Sequence, residues 1–280
     1  MESNKGRKAF LIGFSYEGNK KLPGISIDLY KVYSFLIKHG WQDDEIKLLT
    51  DVIKDDSTDV LRDAILKNIV NADVLTFIED TKEKGQYTLF KAHNYYNNFS
   101  NFFTPASYYF VYYTGHCKDG NIVLPNNSLL SLNLFKSYLI GESTICIMDC
   151  CEAGIKLPFI LNEKVYRCDG ELKISDFTKN KIICISSSLE NEKSITSGTG
   201  SFFTRCLFSI LEDSSLSLAT ILQRVRKELS FIVSSYMNNK QIQTATVCVS
   251  HPHLSCLPGF LYSFPTFFLS LHPSHLVLEI

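Results

Sequence analysis

Hydrophobic residues in this chain gather in short unbroken runs, separated by segments where they recur every three or four positions. Lys8-Ala9-Phe10-Leu11-Ile12-Gly13-Phe14, Tyr108-Tyr109-Phe110-Val111-Tyr112-Tyr113, Thr144-Ile145-Cys146-Ile147-Met148 and Lys181-Ile182-Ile183-Cys184-Ile185-Ser186 are four such runs. Runs of this length, rich in aromatic and β-branched residues, predict strands buried on both faces, as in a parallel sheet. Residues 45–49, 74–78 and 243–249 predict three more strands. Ile25, Leu29, Val32, Phe35 and Leu36 share one helical face, and Gly40 suits the stop of a helix over residues 25–40. Asp56-Ser57-Thr58 predicts a cap before a second helix, with Val60, Leu61, Ile65, Ile69 and Val70 as its apolar face. Residues 87–103, 130–139, 201–211 and 217–235 predict further helices, and residues 158–176 a loop. Strands alternating with helices predict an α/β fold, with a mostly parallel sheet covered on both faces.

The bulk numbers change this picture little. At 280 residues, 45% of them hydrophobic and 20% charged, the chain can bury a full globular core. A net charge of −1, with Lys and Arg scattered, gives no electrostatic footprint for nucleic acid. The polar start Met1-Glu2-Ser3-Asn4-Lys5 does not read as a secretory signal. The nine cysteines include no CxxC pair and fall mostly inside apolar runs. That usage predicts reduced thiols in the cytoplasm, with no disulfide framework and no metal site. Residues 254–278 carry no Lys, Arg, Asp or Glu, but Pro258, Gly259 and Pro265 interrupt the stretch. The chain therefore divides into a domain over residues 1–250 and an apolar tail over 251–280 without assigned role. The tail is expected to pack on the domain or stay disordered, rather than to anchor in a membrane.

Two of the predicted strands stop at reactive side chains. One runs into Thr114-Gly115-His116, the other into Asp149-Cys150-Cys151-Glu152-Ala153-Gly154. Neighbouring parallel strands open at their carboxyl ends onto one crevice. A histidine at one end and a cysteine at the next would face each other as base and thiol nucleophile. Gly115 permits close backbone approach at the first site. At the second, the backbone N–H groups after the strand suit a thiolate or an oxyanion.

These motifs resemble those of metacaspases, the caspase-like cysteine peptidases, in their type I-like catalytic domain. Tyr112-Tyr113-Thr114-Gly115-His116 is similar to the family's "YYSGHG", and Asp149-Cys150-Cys151-Glu152-Ala153-Gly154 to "D-[SC]-C-H-S-G". Residues 8–16, 22–28, 35–51 and 185–204 resemble further family segments, so the likeness covers roughly residues 8–250. The resemblance implies a caspase-like three-layer α/β/α sandwich and a cysteine endopeptidase. It implies Cys151 as nucleophile, His116 as proton shuttle, and the backbone N–H groups of Cys151 and Cys117 as oxyanion hole. By the same match Asp28, Asp149 and Thr114 line the S1 pocket. Two carboxylates there favour a cationic guest, so Arg or Lys is expected at P1 of a protein or peptide substrate. A monomer is expected, as is self-cleavage at Lys164 or Arg167 in the loop after the nucleophile strand.

Four departures temper the match. Cys117 replaces the glycine after the histidine, Glu152 replaces the histidine after the nucleophile, and Ile25 replaces a cysteine. The segment Val123-Leu124-Pro125-Asn126-Asn127 lacks the carboxylates with which many metacaspases bind activating calcium. No cofactor and no calcium requirement are therefore expected. Cys117 and Glu152 keep open a second function, a catalytically inactive caspase-like module that binds or regulates partners.

Overall fold

The structure is a computed structural model that describes residues 6–51, 83–84, 87–89, 95–152, 155–162, 165–168, 180–213, 215–237 and 242–251. Its centre is a nine-stranded sheet. In chain order the sheet strands are β1 (Arg7–Gly13), β2 (Ile46–Thr50), β3 (Tyr87–Leu89), β4 (Tyr108–Thr114), β8 (Ser143–Asp149), β9 (Phe159–Asn162), β10 (Val165–Cys168), β11 (Lys181–Ser186) and β14 (Thr246–Val249). A small hairpin sheet of β5 (Cys117–Lys118), β6 (Asn121–Val123) and β7 (Leu129–Ser131) follows the His116 strand, and β12 (Thr196–Ser197) pairs with β13 (Gly200–Ser201). The described helices are α1 (Ile25–Lys38), α2 (Tyr95–Phe102), α3 (Leu132–Ser137), α4 (Phe202–Ile210) and α5 (Leu218–Met237).

The order across the large sheet is β10-β9-β14-β11-β8-β4-β1-β2-β3. From β3 to β11 every pairing is parallel; β14, β9 and β10 then close one side by antiparallel pairing. Strand parity decides which face each residue enters. Leu11, Phe110, Tyr112, Ile145, Ile147 and Ile185 pack against α1, α4 and α5. Phe10, Tyr109, Val111, Tyr113, Cys146 and Met148 pack against Phe99 and Phe102 of α2 and Phe135 of α3. Both faces are buried, which is why β4 and β8 read as continuous apolar runs rather than alternating ones. The result is an α/β sandwich of caspase-like architecture with a mostly parallel sheet.

Three expectations need correction. Residues 87–103 do not form one helix: Tyr87-Thr88-Leu89 adds a parallel strand beside β2, and helix begins at Tyr95. Tyr and Thr favour the pleated surface, and their pairing outweighs weak helical periodicity. Residues 158–176 are not all loop, because Phe159–Asn162 and Val165–Cys168 pair as an antiparallel hairpin outside β14. The helix expected over residues 130–139 is shorter, Leu132–Ser137, and starts at the Ser131 cap, whose hydroxyl accepts the Leu134 N–H. The helix expected after residue 56, the strand at 74–78, Lys164 and the tail from residue 252 lie outside the described residues. No described helix is long and apolar enough to cross a membrane.

Candidate active site

β4 and β8 are neighbours in register, with Thr114 opposite Asp149, so their carboxyl ends bring the two sequence motifs together. The Gly115 N–H donates to the Asp149 carbonyl at 3.3 Å, continuing the link one residue past the strands. Parity then divides the nucleophile segment. Asp149 follows Ile145 and Ile147 towards α1 and α4, while Cys150 joins Met148 on the opposite face. Cys151 lies at the sheet's rim between them and is half-buried.

The His116 loop is fixed by aromatic hydroxyls. The His116 N–H donates to Tyr16 Oη at 2.8 Å, and Tyr16 Oη donates to the Val123 carbonyl at 2.7 Å. Tyr113 Oη donates to the His116 carbonyl at 2.9 Å. The imidazole packs on the Tyr16 ring with centroids 4.6 Å apart. Its Nε2 lies 2.8 Å from the Lys20 carbonyl, in the short turn Gly18–Lys20. A carbonyl can only accept, so Nε2 carries the hydrogen and Nδ1 is the basic nitrogen of the neutral ring.

The thiol has its own set of contacts. Cys151 Sγ lies 3.9 Å from the Ser194 carbonyl. Burial is the main reason that the Cys151 thiol sits above its ordinary range, with the Ser194 backbone offsetting part of that and Cys117 and Asp149 adding to it. The Cys150 N–H donates to Ser187 Oγ at 3.1 Å, and the Glu152 N–H to the Glu192 carbonyl at 3.0 Å. Between them, the Cys151 N–H makes no hydrogen bond with any described residue. His116 and Cys151 likewise share none: each reactive atom is held by a backbone carbonyl.

Of the two replacements at the dyad, Cys117 takes ordinary backbone conformation and Glu152 does not. Cys117 lies on β5, buried, and is not among the residues with positive φ; the left-handed residues nearby are Asp119 (φ 49°) and Glu152 (φ 50°). The Glu152 carboxylate accepts the Asp119 N–H at 2.8 Å, which ties the nucleophile loop to the histidine hairpin.

Asp28, Asp149 and Thr114 meet on the α1 side of the sheet. All three are buried, the two carboxylates only 2% and 3% exposed. Ser201 N–H donates to both Asp28 oxygens at 3.0 Å. Ser194 Oγ donates to Asp149 Oδ1 at 2.8 Å, and Thr204 Oγ1 to Oδ2 at 2.6 Å. Tyr112 Oη lies 2.6 Å from Thr204 Oγ1 and extends the chain. Burial pushes both carboxyls above the usual range, and the Asp149 charge adds to the effect on Asp28. Gly200, at φ 96°, makes the approach possible: a Cβ there would sit 2.4 Å from Asp28 Oδ1.

Sequence reasoning missed Tyr16, Lys20, Ser194 and Gln243. Gln243 Nε2 donates to Ser194 Oγ at 3.0 Å and to the Ser187 carbonyl at 3.2 Å, and its Oε1 accepts the Ile195 N–H at 3.1 Å. It thereby holds the segment that contacts both Cys151 and Asp149. Arg167, expected in a loop, is on β10 with its backbone opposite Ile160. In the segment compared with the family's calcium site, Asn127 Oδ1 takes the Lys20 ammonium at 2.7 Å, and Asn126 Oδ1 takes the Ser128 N–H at 3.1 Å. Among the described residues no group of three His, Cys, Asp or Glu side chains is placed to hold a metal.

A family model of the caspase domain matches residues 6–251. Among solved structures, caspase-1 from Spodoptera frugiperda matches with a TM-score of 0.50 at 16% identity, over 87% of this chain and 86% of that one. At that identity the likeness concerns the fold. No curated protein sequence matches the chain.

Proposed function

The chain belongs to the caspase domain family, a family of cysteine peptidases, and from that premise we propose that it is a metacaspase-like endopeptidase cleaving after Arg or Lys. The observation that carries the specificity is the pair of buried carboxylates beside the thiol. Asp28 and Asp149 are held by hydroxyls and a backbone N–H, and among the described residues neither makes a direct ion pair with a lysine or arginine, although the Lys31 charge acts on Asp28 from a distance. Buried carboxylates without a counter-ion are costly, and a guanidinium or ammonium entering beside them relieves that cost. An aspartate guest would bring further negative charge into a site that already holds two acidic groups.

The chemistry follows the division of labour on the two loops. His116, with its Nε2–H held by the Lys20 carbonyl, takes the thiol proton on Nδ1. The Cys151 thiolate attacks the scissile carbonyl, and the N–H groups of Cys151 and Cys117 receive the oxyanion. His116 returns the proton to the leaving nitrogen as the C–N bond breaks and the thioester forms. Water then hydrolyses the thioester, with His116 again as base. The Cys151 N–H, which no described residue accepts and which is flanked by two N–H groups already in use, supports its oxyanion role. The dyad hydrogen bond is absent in the substrate-free chain; such bonds often tighten only in the complex.

The β9–β10 hairpin covers β14, the strand through which a partner sheet would otherwise pair, and supports a monomer. Calcium has no part in this mechanism, and millimolar calcium is expected to leave turnover unchanged. Self-cleavage after Arg167 requires β10 to leave the sheet first, so Lys164 is the favoured site of the two. A second reading, the inactive module, is favoured by the closed recess: Ser194 and Thr204 occupy the carboxylate that a P1 cation must reach. A fluorogenic substrate with arginine at P1, tested with the wild type and Cys151→Ala, decides between them. Turnover that the substitution abolishes supports the peptidase. No turnover by a folded wild type supports the module.

A further inference from the structure

The Cys151 thiol lies between two acidic regions on opposite faces of the sheet. One is the closed, buried cluster of Asp28 and Asp149. The other is a cavity of about 500 Å³ on the α2 and α3 side. Its floor is apolar, with Leu132, Ile155 and Leu157 buried, and Ile160 and Leu189 partly exposed at its margin. Its rim carries three acids, Asp119, Glu152 and Glu190, against two ammonium groups: Lys156 pairs with Glu190 at 3.8 Å and Lys118 with Asp119 at 3.9 Å, which leaves the rim acidic by one charge. Cys151 does not line the cavity, but Glu152, the next residue in the chain, does.

We propose that this cavity is the subsite for the leaving-group side of the substrate, and that it selects a basic side chain within the first two residues after the scissile bond. The proposal rests on the peptidase reading above. A peptide laid across the thiol must leave it on both sides. If its P1 residue enters the recess towards α1, the chain beyond the scissile bond falls on the opposite side, over Glu152 and Asp119. A cavity of this volume accommodates one or two side chains. The apolar floor takes the methylene stem of a lysine or arginine, and the rim takes its charged end. The same rim favours the new N-terminal ammonium that cleavage creates. Because Asp119 and Glu190 are exposed, the preference is modest and screened by salt.

The test uses the full chain and internally quenched peptides that share one sequence up to a P1 arginine and carry Lys or Glu at the two following positions, with cleavage at the arginine bond alone read by mass spectrometry because lysine is itself an expected P1 residue. The wild type is expected to cleave the Lys peptide about tenfold faster at low salt, with the gap closing at 0.5 M NaCl. Glu190→Lys is expected to shrink that gap about fivefold while leaving an arginine–aminocoumarin substrate, which has no residues after the scissile bond, unchanged. Equal rates on the two peptides overturn the proposal, as does a Glu190→Lys effect of the same size on the aminocoumarin substrate. A parallel arm measures anisotropy of a labelled Lys-Lys peptide with a free N-terminus on Cys151→Ala protein, with and without Glu190→Lys. Binding that Glu190→Lys weakens, together with no cleavage of any peptide by the wild type, keeps the subsite and discards the peptidase. Cleavage with neither preference nor binding discards the subsite and keeps the peptidase.

Discussion

The recess and the cavity flank the same thiol, yet they treat charge in opposite ways. In the recess every carboxylate oxygen is met by the protein itself and water is excluded. In the cavity the carboxylates stand at a wet rim, and Glu190 meets its lysine at long range. A charge removed from water interacts strongly and discriminates sharply, whereas one at a rim steers and is screened. The recess should therefore decide which bond is cut, and the cavity only how well.

The largest effect is expected at Asp149. Asp149→Ala strands the Ser194 and Thr204 hydroxyls and removes a buried carboxyl beside the thiol. Turnover of an arginine substrate should fall on the order of 10²–10³-fold. A citrulline substrate, neutral but of the same shape, should lose far less; equal losses on the two would mean that Asp149 supports the loop rather than the guest.

Asp28 sharpens the comparison through pH. Its folded carboxyl is raised above the ordinary value of about 4, chiefly by burial. The folded chain thus holds a proton that the unfolded chain releases. This contribution to stability is complete below the unfolded value and is lost as pH rises through the folded one. Asp28→Asn escapes that loss, so its melting temperature relative to wild type should climb between pH 4 and pH 8, by roughly 2–4 °C per kcal/mol recovered. A difference that stays flat across that range would show that the carboxyl is already ionised when folded.

Gly200→Ala tests how tightly the recess is built. The added Cβ would meet Asp28 Oδ1 at 2.4 Å, at a φ that alanine rarely adopts. A cost of about 1–3 kcal/mol in urea unfolding is expected. The smallest of these effects is expected on the histidine side, away from both hollows. Tyr16→Phe leaves the His116 N–H and the Val123 carbonyl without their shared hydroxyl, and kcat should fall about tenfold with KM little changed. A matching rise in KM would place Tyr16 in substrate binding instead.

Much of this was legible in the sequence because the parallel strands bury both faces. Phe10-Leu11-Ile12 and Ile145-Cys146-Ile147 announce strands without ambiguity, and the residues at which β4 and β8 stop mark the crevice. The register of β4 on β8 then brings Thr114 beside Asp149, as adjacent strand ends predict. What remained hidden was of two kinds. Short strands such as Tyr87–Leu89 and Phe159–Asn162 owe their conformation to the neighbour they pair with, which local pattern does not reveal. The Lys20 carbonyl is backbone, so no residue type signals it. Ser194 and Gln243 join the site through a folded loop, and only their contacts disclose them. Tyr16 had one available signal, an aromatic hydroxyl just past the first strand end, on the crevice side of the sheet.

The most direct trial of the account is covalent labelling followed by mass spectrometry. A peptide chloromethyl ketone ending in arginine should modify Cys151 stoichiometrically, and its aspartate counterpart should not. Labelling that ignores the terminal residue, or that falls on Cys117 or Cys150 while Cys151 stays unmodified, would contradict it.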